Sequence, residues 1–174
     1  MAAKKPAARG GKAPSLDKTI KSVADKLFEA ERTGTPIPPV RELLPENDLD
    51  AAYRVQDANT ERALAAERRL VGRKIGLTAV AVQKQLGVDQ PDYGMLFADM
   101  CLADGEEVRR GRLIAPRVEA EVAFLLGHDL AHEQPTIADA MHAVEFCVPA
   151  IELSRSMTGL TLSFRYNCES KSCS

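Results

Sequence analysis

The sequence has no run of apolar residues approaching the roughly 18 that a membrane-spanning helix needs, so no such helix is expected. It has only four cysteines, Cys101, Cys147, Cys168 and Cys173, with no CxxC or Cys/His spacing. That excludes a disulfide miniprotein and argues against a zinc site. Cys101 and Cys147 stand alone among apolar residues, as buried free thiols do. A reducing compartment follows, and no apolar segment of signal-peptide type follows the basic N-terminal residues, so the expected location is the cytoplasm. The three histidines, His128, His132 and His142, share no spacing with a nucleophile, and no G-x-S-x-G occurs. Aromatic residues make up 5% and do not interleave with basic ones; with a net charge of −2, neither a nucleic-acid partner nor a membrane surface is expected.

What is present suits one globular domain. Hydrophobic residues are 45% and charged residues 28% of 174. The charge is unevenly placed: Lys4, Lys5, Arg9 and Lys12 come before the first acid, Asp17, and leave the rest of the chain clearly acidic. Residues 1–14, rich in Ala, Gly, Pro and Lys, read as a flexible basic tail.

The order of elements follows from periodicity and punctuation. Ser15 can cap a helix whose apolar face is Ile20, Val23, Ala24 and Leu27, stopped by Gly34. The prolines of 35–39 force extended chain. A second helix is expected from about Asp48 to Arg69, with Asp50 early and Arg68 and Arg69 late, as the helix dipole prefers. Residues 70–76 read as a short strand, and Thr78 as the cap of a helix over 79–86 closed by Gly87. GVDQPDYG, 87–94, reads as a loop, and Asp104-Gly105 as a turn. A strand is expected over 118–126 and another over 146–153. Between them, Thr136 and Asp139 form a capping box for a helix to about Glu145. Helices come first and strands cluster later, which favours an α+β fold.

The sharpest chemical signal is RVEAEVAFLL, 117–126. In a strand, Glu119 and Glu121 share one face while Val118, Ala120, Val122 and Phe124 take the other. Two adjacent carboxylates repel unless a proton or cation neutralises one. An all-oxygen site suits Mg²⁺ or Mn²⁺. The same pattern suits a solvated strand face with Glu119 paired to Arg117, and these residues alone leave both open. Glu152, in the otherwise apolar VPAIEL of 148–153, either ends its strand in water or is aimed at a cation. Three carboxylates would leave room on an octahedral ion for water and a bidentate 2-oxo acid.

Lys74 lies between Gly72 and Gly76, which permit close approach of backbone or ligand. It can pair with a carboxylate or move a proton, or simply end a strand in water. Asp89 and Asp92 sit in the 87–94 loop; Asp92 follows Pro91, whose ring tethers it for acid–base work or for capping a turn. Tyr93 is either packing or a hydroxyl donor.

Taken together and in order, GRKIGLT (72–78), QLGVDQPDYGMLFADM (85–100), PRVEAEVAFLL (116–126) and VPAIEL (148–153) resemble the 2-keto-4-pentenoate hydratases of aromatic meta-cleavage catabolism. These stand with the 4-oxalocrotonate decarboxylases in the fumarylacetoacetate hydrolase superfamily. The resemblance covers residues 49–153 clearly and 16–48 faintly. It implies helices followed by a mixed β-roll, and Mg²⁺ or Mn²⁺ held by Glu119, Glu121 and Glu152. It implies catalytic roles for Lys74 and Asp92, and a small 2-oxo or 2-hydroxydienoic acid as substrate. The activity implied is hydration of 2-hydroxypenta-2,4-dienoate to 4-hydroxy-2-oxopentanoate, with decarboxylation of a 4-oxalocrotonate-type acid as the alternative. A homo-oligomer is implied, with the pathway aldolase or decarboxylase as a further candidate partner.

One departure stands out. Such hydratases continue well beyond the third acid with more strands of the roll. Here residues 154–174 are rich in serine, carry Cys168 and Cys173, and lose the pattern. The expected organisation is a tail over 1–14, an incomplete hydratase-like domain over 15–153 and an atypical tail over 154–174. An inactive, truncated subunit is therefore a third reading, and missing strands would expose apolar surface.

Overall fold

The computed structural model describes residues 15–46, 48–109, 113–114, 116–155 and 162–166. The expected tail over 1–14, Cys168 and Cys173 lie outside the described residues.

Two helices form the first layer. Helix α1, Leu16–Thr33, ends on Gly34 in the left-handed conformation (φ 66°). Its stripe of Ile20, Val23 and Ala24 packs on Ala51 and Val55 of α2, Leu49–Ala65, with Val40 from the intervening turn closing the cluster. Asp48 caps α2 by accepting from the Ala51 amide at 2.9 Å. Polar contacts tie the two helices along their length: Arg54 to Asp17 at 2.6 Å, Arg62 to Asp25, and Asn59 Nδ2 donating to the Ala24 carbonyl at 3.1 Å.

Helix α2 stops four residues short of the expected Arg69. Glu67 takes a left-handed backbone (φ 59°), its amide donates to the Leu64 carbonyl, and the Arg68 amide reaches back to the Ala63 carbonyl at 3.0 Å. This is a Schellman ending with a non-glycine residue in the strained position. Tertiary contacts decide it: Arg68 forms a two-pronged pair with Asp99, both contacts at 3.0 Å, and stacks over the Phe97 ring.

Strand β1, Leu70–Gly76, pairs antiparallel with β2, Asp92–Phe97, to make a two-stranded ribbon. Helix α3, Val80–Leu86, bridges them and ends at Gly87 (φ 72°). Thr78 is not its cap: Ala79 occupies that position without a side-chain bond, and Gln83 Nε2 instead donates to the Leu77 carbonyl at 2.6 Å. The expected 87–94 loop is shorter, because pairing with β1 draws Asp92, Tyr93 and Gly94 into β2.

Strand β3, Pro116–Leu126, pairs antiparallel with β4, Val144–Arg155, over nearly its full length. Helix α4, Ile137–Ala143, carries the expected Thr136–Asp139 capping box. It ends two residues before Glu145, because Val144 already pairs with Leu126. Strand β5, Leu162–Tyr166, pairs antiparallel with β4. The stretch after Leu153 that reads as an irregular tail thus begins inside β4 and contains a strand.

The class is α+β, as expected, and both described sheets are antiparallel. Leu96 of β2 packs on Ala150 of β4 and Ala123 of β3, so one face of the ribbon meets one face of the larger sheet. No helix among the described residues is long and apolar enough to cross a membrane.

Candidate active site

The site lies where ribbon and sheet meet, and strand register builds it. Glu119 of β3 is paired directly with Glu152 of β4, and Glu121 with Ala150. Residues opposite one another in an antiparallel pair share a face, and so do residues two apart on one strand. Glu119, Glu121 and Glu152 therefore stand on a single sheet face, and a carboxylate oxygen from each lies within 4.8 Å of the others. The alternation read from the sequence holds. The face turned toward the ribbon is the acidic one, while Val118, Val122 and Phe124 are exposed on the other. Small side chains at Ala123 and Ala150 leave space for the acids.

Lys74 enters from β1 and is buried, at 8% exposure, despite its charge. Its Nζ donates to Glu121 and lies 2.8 Å from Glu152 Oε2. Glu152 is the most buried of the three acids, at 3% exposure, whereas Glu119 lies toward solvent, with Ser154 Oγ 3.5 Å from its Oε1. Burial pushes the Glu152 carboxyl above its ordinary value; Lys74 opposes this, and the charges of Glu119 and Glu121 reinforce it. Burial pulls Lys74 down, but its hydrogen bond to Glu121, its close ion pair with Glu152 and the charges of both acids outweigh that, so its ammonium form is held more tightly than usual. The lysine is a cation inside an acidic cluster.

Three carboxylates against one ammonium leave an excess of two negative charges when all are ionised. Glu152 Oε2 is buried and, among the described residues, receives no well-aligned hydrogen bond despite its ion pair with Lys74. Three converging hard oxygen donors with that charge excess fit one divalent cation of the Mg²⁺ or Mn²⁺ type.

Asp92 adjoins this group without joining it. It pairs with Gly76, two residues along β1 from Lys74, and its carboxyl packs over the glycine. A Cβ on Gly76 would stand 2.2 Å from Asp92 Oδ1, so only glycine lets the carboxyl lie there. Asp92 thus shares the Lys74 face of the ribbon, and among the described residues its side chain has no hydrogen-bond partner. Asp89 is exposed in the loop before it. Tyr93 points to the other face and stacks on Tyr53, with ring centroids 4.7 Å apart. Hence the packing role is the one it fills.

Other sequence expectations land elsewhere. Cys147 is exposed and Cys101 only half-buried, so neither is the buried thiol that its apolar neighbours suggest. His128 and His142 stack on each other at 5.6 Å, away from the carboxylates. Ser154 was not legible as a site residue, since its link to Glu119 exists only through the β3–β4 register.

No family model matches the chain. Curated relatives do. The chain is 61% identical over 134 residues to the TodF product hydratase of Pseudomonas putida F1, covering 77% of this chain and 50% of that protein. It is 58% identical over 132 residues to 2-keto-4-pentenoate hydratase 2 of Dechloromonas aromatica, covering 76% and 50%. With the 2-keto-4-pentenoate hydratase of Paraburkholderia xenovorans it shares 49% identity over 130 residues, covering 75% and 48%. The chain spans about half the length of the curated relatives it matches. Among solved structures it resembles the 4-oxalocrotonate decarboxylase of Pseudomonas putida G7 complexed with magnesium and adipate. The TM-score is 0.77 at 25% identity, over 90% of this chain and 64% of that one. The same enzyme complexed with calcium and acetate gives 0.78 at 26% identity. Over the matched residues the chain is thus similar to the 2-keto-4-pentenoate hydratases in sequence and to a 4-oxalocrotonate decarboxylase in fold, both of the fumarylacetoacetate hydrolase superfamily.

Proposed function

We propose that this chain carries the acid cluster and lysine of a metal-dependent hydro-lyase. Its reaction is hydration of 2-hydroxypenta-2,4-dienoate to 4-hydroxy-2-oxopentanoate. The observation that carries the reading is the convergence of Glu119, Glu121 and Glu152 around the buried ammonium of Lys74. On this reading the three acids hold Mg²⁺ or Mn²⁺, which when bound supplies Lewis acidity to the carboxylate and 2-oxygen of the substrate.

The chain's own groups handle position and protons. The Lys74 ammonium offers a fixed positive charge to the anionic substrate, in a setting where burial strengthens the attraction. Ketonisation moves the 2-hydroxyl proton off oxygen and places a proton on C5. Water then adds across the resulting enone, its oxygen to C4 and a proton to C3. Lys74 and Asp92 share one ribbon face: the Lys74 ammonium orients the substrate, and Asp92 is the group that takes and returns these protons. Asp92, without a hydrogen-bond partner among the described residues, is free to orient the attacking water. The enzyme is cytoplasmic and homo-oligomeric on this reading.

Two other readings each rest on one observation. Likeness to the solved decarboxylase favours loss of carbon dioxide from a 2-oxo diacid at the same site. The exposed apolar face of β3 favours a subunit of incomplete fold, with a tail over 1–14, a hydratase-like part over 15–153 and a tail over 154–174, that is inactive alone.

The test pairs metal binding with turnover. Manganese titration by calorimetry should show one site, abolished in Glu121→Gln with the circular dichroism spectrum unchanged. Unchanged affinity in that variant rejects the three-carboxylate site. Loss of dienol absorbance without carbon dioxide release supports hydration, and carbon dioxide release supports decarboxylation. Metal binding with neither reaction supports the inactive subunit.

A further inference from the structure

Among the described residues, two other than glycine have a left-handed backbone: Glu67 and Leu77 (φ 53°). The Schellman ending of α2 accounts for the first. No helix end accounts for the second, which follows Gly76 at the end of β1 and precedes α3. A bulky side chain is sterically disfavoured in that conformation, so the surrounding structure must impose it. The group placed to do so is Gln83 of α3. It is buried, and its Nε2 donates to the Leu77 carbonyl at 2.6 Å. A carbonyl can only accept, which fixes the orientation of the amide.

This clamp lies at the foot of a closed excursion. The chain leaves the ribbon after Gly76, passes through Leu77, α3 and residues 87–91, and returns at Asp92, the residue paired with Gly76. Both feet therefore stand on one rung of the ladder. The direction in which Leu77 sends the chain out, tied to α3 by Gln83, constrains where it comes back. The tolerance is small, because Asp92 Oδ1 occupies the space that a Cβ on Gly76 would need. The Asp92 side chain makes no hydrogen bond among the described residues, so its carboxyl is placed by the backbone that carries it.

We propose that Gln83 is a positioning residue for the candidate active site. By holding Leu77 left-handed, it sets the Asp92 carboxyl over Gly76, on the ribbon face of Lys74. The consequence for turnover rests on the role given to Asp92 above; the placement of the carboxyl does not.

The experiment uses the full chain labelled with ¹³C at the aspartate carboxyl carbons, with the Asp92 signal assigned by its loss in Asp92→Asn. Gln83→Leu removes the donor at similar volume. It should move the Asp92 signal and leave those of Asp25, on α1, and Asp139, on α4, in place. Leu77→Gly removes the strain that the clamp opposes, since glycine takes a positive φ freely. In that background Gln83→Leu should leave the Asp92 signal close to its parent position. A merely structural loss of packing around Gln83 would not be repaired by a change at position 77. The kcat for dienol hydration should fall about tenfold in Gln83→Leu, as for a slightly misplaced group. It should return to within about twofold of the parent in the double variant, with KM and manganese affinity unchanged throughout. The proposal is overturned if the Asp92 signal stays in place in Gln83→Leu, or moves equally with and without Leu77→Gly. If Gln83→Leu does not fold, Gln83→Asn, whose amide is one methylene too short to reach Leu77, decides by the same two criteria. A signal that moves and is rescued while kcat stays constant upholds the placement by Gln83 and rejects the chemistry assigned to Asp92.

Discussion

Glu119 and Glu152 are direct partners across β3 and β4, two like charges where strand pairing would favour opposite ones. Lys74, arriving from a different sheet, is what makes that pairing tolerable in the absence of another cation.

Removing the ammonium should therefore expose the conflict. Lys74→Met leaves Glu152 buried and uncompensated and is expected to cost about 3 kcal/mol, the scale of breaking a buried ion pair from one side. Urea unfolding measures it. Added manganese should restore most of the loss, because a divalent ion neutralises the same carboxylates. A variant as stable as the parent without metal contradicts the ion-pair account.

The Glu152 carboxyl, raised by burial, gives stability a definite pH dependence. Its ordinary value is the unfolded one and the native value is higher, so between them the native state holds a proton that the unfolded chain has released. The contribution is complete below the unfolded value and is lost as pH rises through the native one. Lys74 acts at the other end of the scale: its raised value contributes stability below the ordinary lysine range that disappears as pH climbs through the native one. Unfolding free energies of metal-free protein across the range from about 4 to 8 should fall with pH more steeply than those of Glu152→Gln. A parallel course for the two proteins argues against a raised Glu152.

Glu67 holds a left-handed backbone that costs a non-glycine residue roughly 1 kcal/mol. Glu67→Gly should stabilise the chain by about 0.5 kcal/mol once the greater freedom of glycine in the unfolded state is counted. Thermal melting would register this as a rise of one or two degrees, roughly. A fall in melting temperature refutes it.

Gly76 and Gly72 flank Lys74 but differ in what a methyl group would meet. At Gly76 it stands 2.2 Å from the Asp92 carboxyl; at Gly72 it stands 3.7 Å from Leu96 Cδ1, an ordinary contact. Gly76→Ala should displace Asp92 and reduce dienol turnover about tenfold or more, with a smaller effect on stability. Gly72→Ala should leave turnover near the parent value. Equal effects of the two changes remove Asp92 from the proposed chemistry.

The outer face of β3 presents Val118 at 70%, Val122 at 55% and Phe124 at 62% exposure. Contiguous apolar surface on a sheet face binds hydrophobic dyes and self-associates. Replacing all three by threonine keeps strand propensity and should reduce anilinonaphthalene sulfonate fluorescence several-fold. Manganese affinity should be unchanged, since these side chains lie opposite the acids. Undiminished fluorescence would place the sticky surface elsewhere.

Much of this molecule is written locally. The apolar stripe of α1 and its glycine stop, the Thr136–Asp139 capping box, the strand periods around Lys74 and Glu119, and the one-face placement of Glu119 with Glu121 all follow from spacing within a few residues. Those features depend on backbone sterics, capping bonds and side-chain alternation, which a short segment carries by itself. What tertiary structure decided lies between segments. The end of α2 at Ala65 came from the pull of Asp99 and Phe97 on Arg68, and the start of β2 at Asp92 from pairing with β1. The meeting of Glu152 with Glu119 and the burial of Lys74 among them came from register and layer packing. No residue encodes these alone, because an ion pair belongs to two surfaces, and only their approach sets its distance and its dielectric.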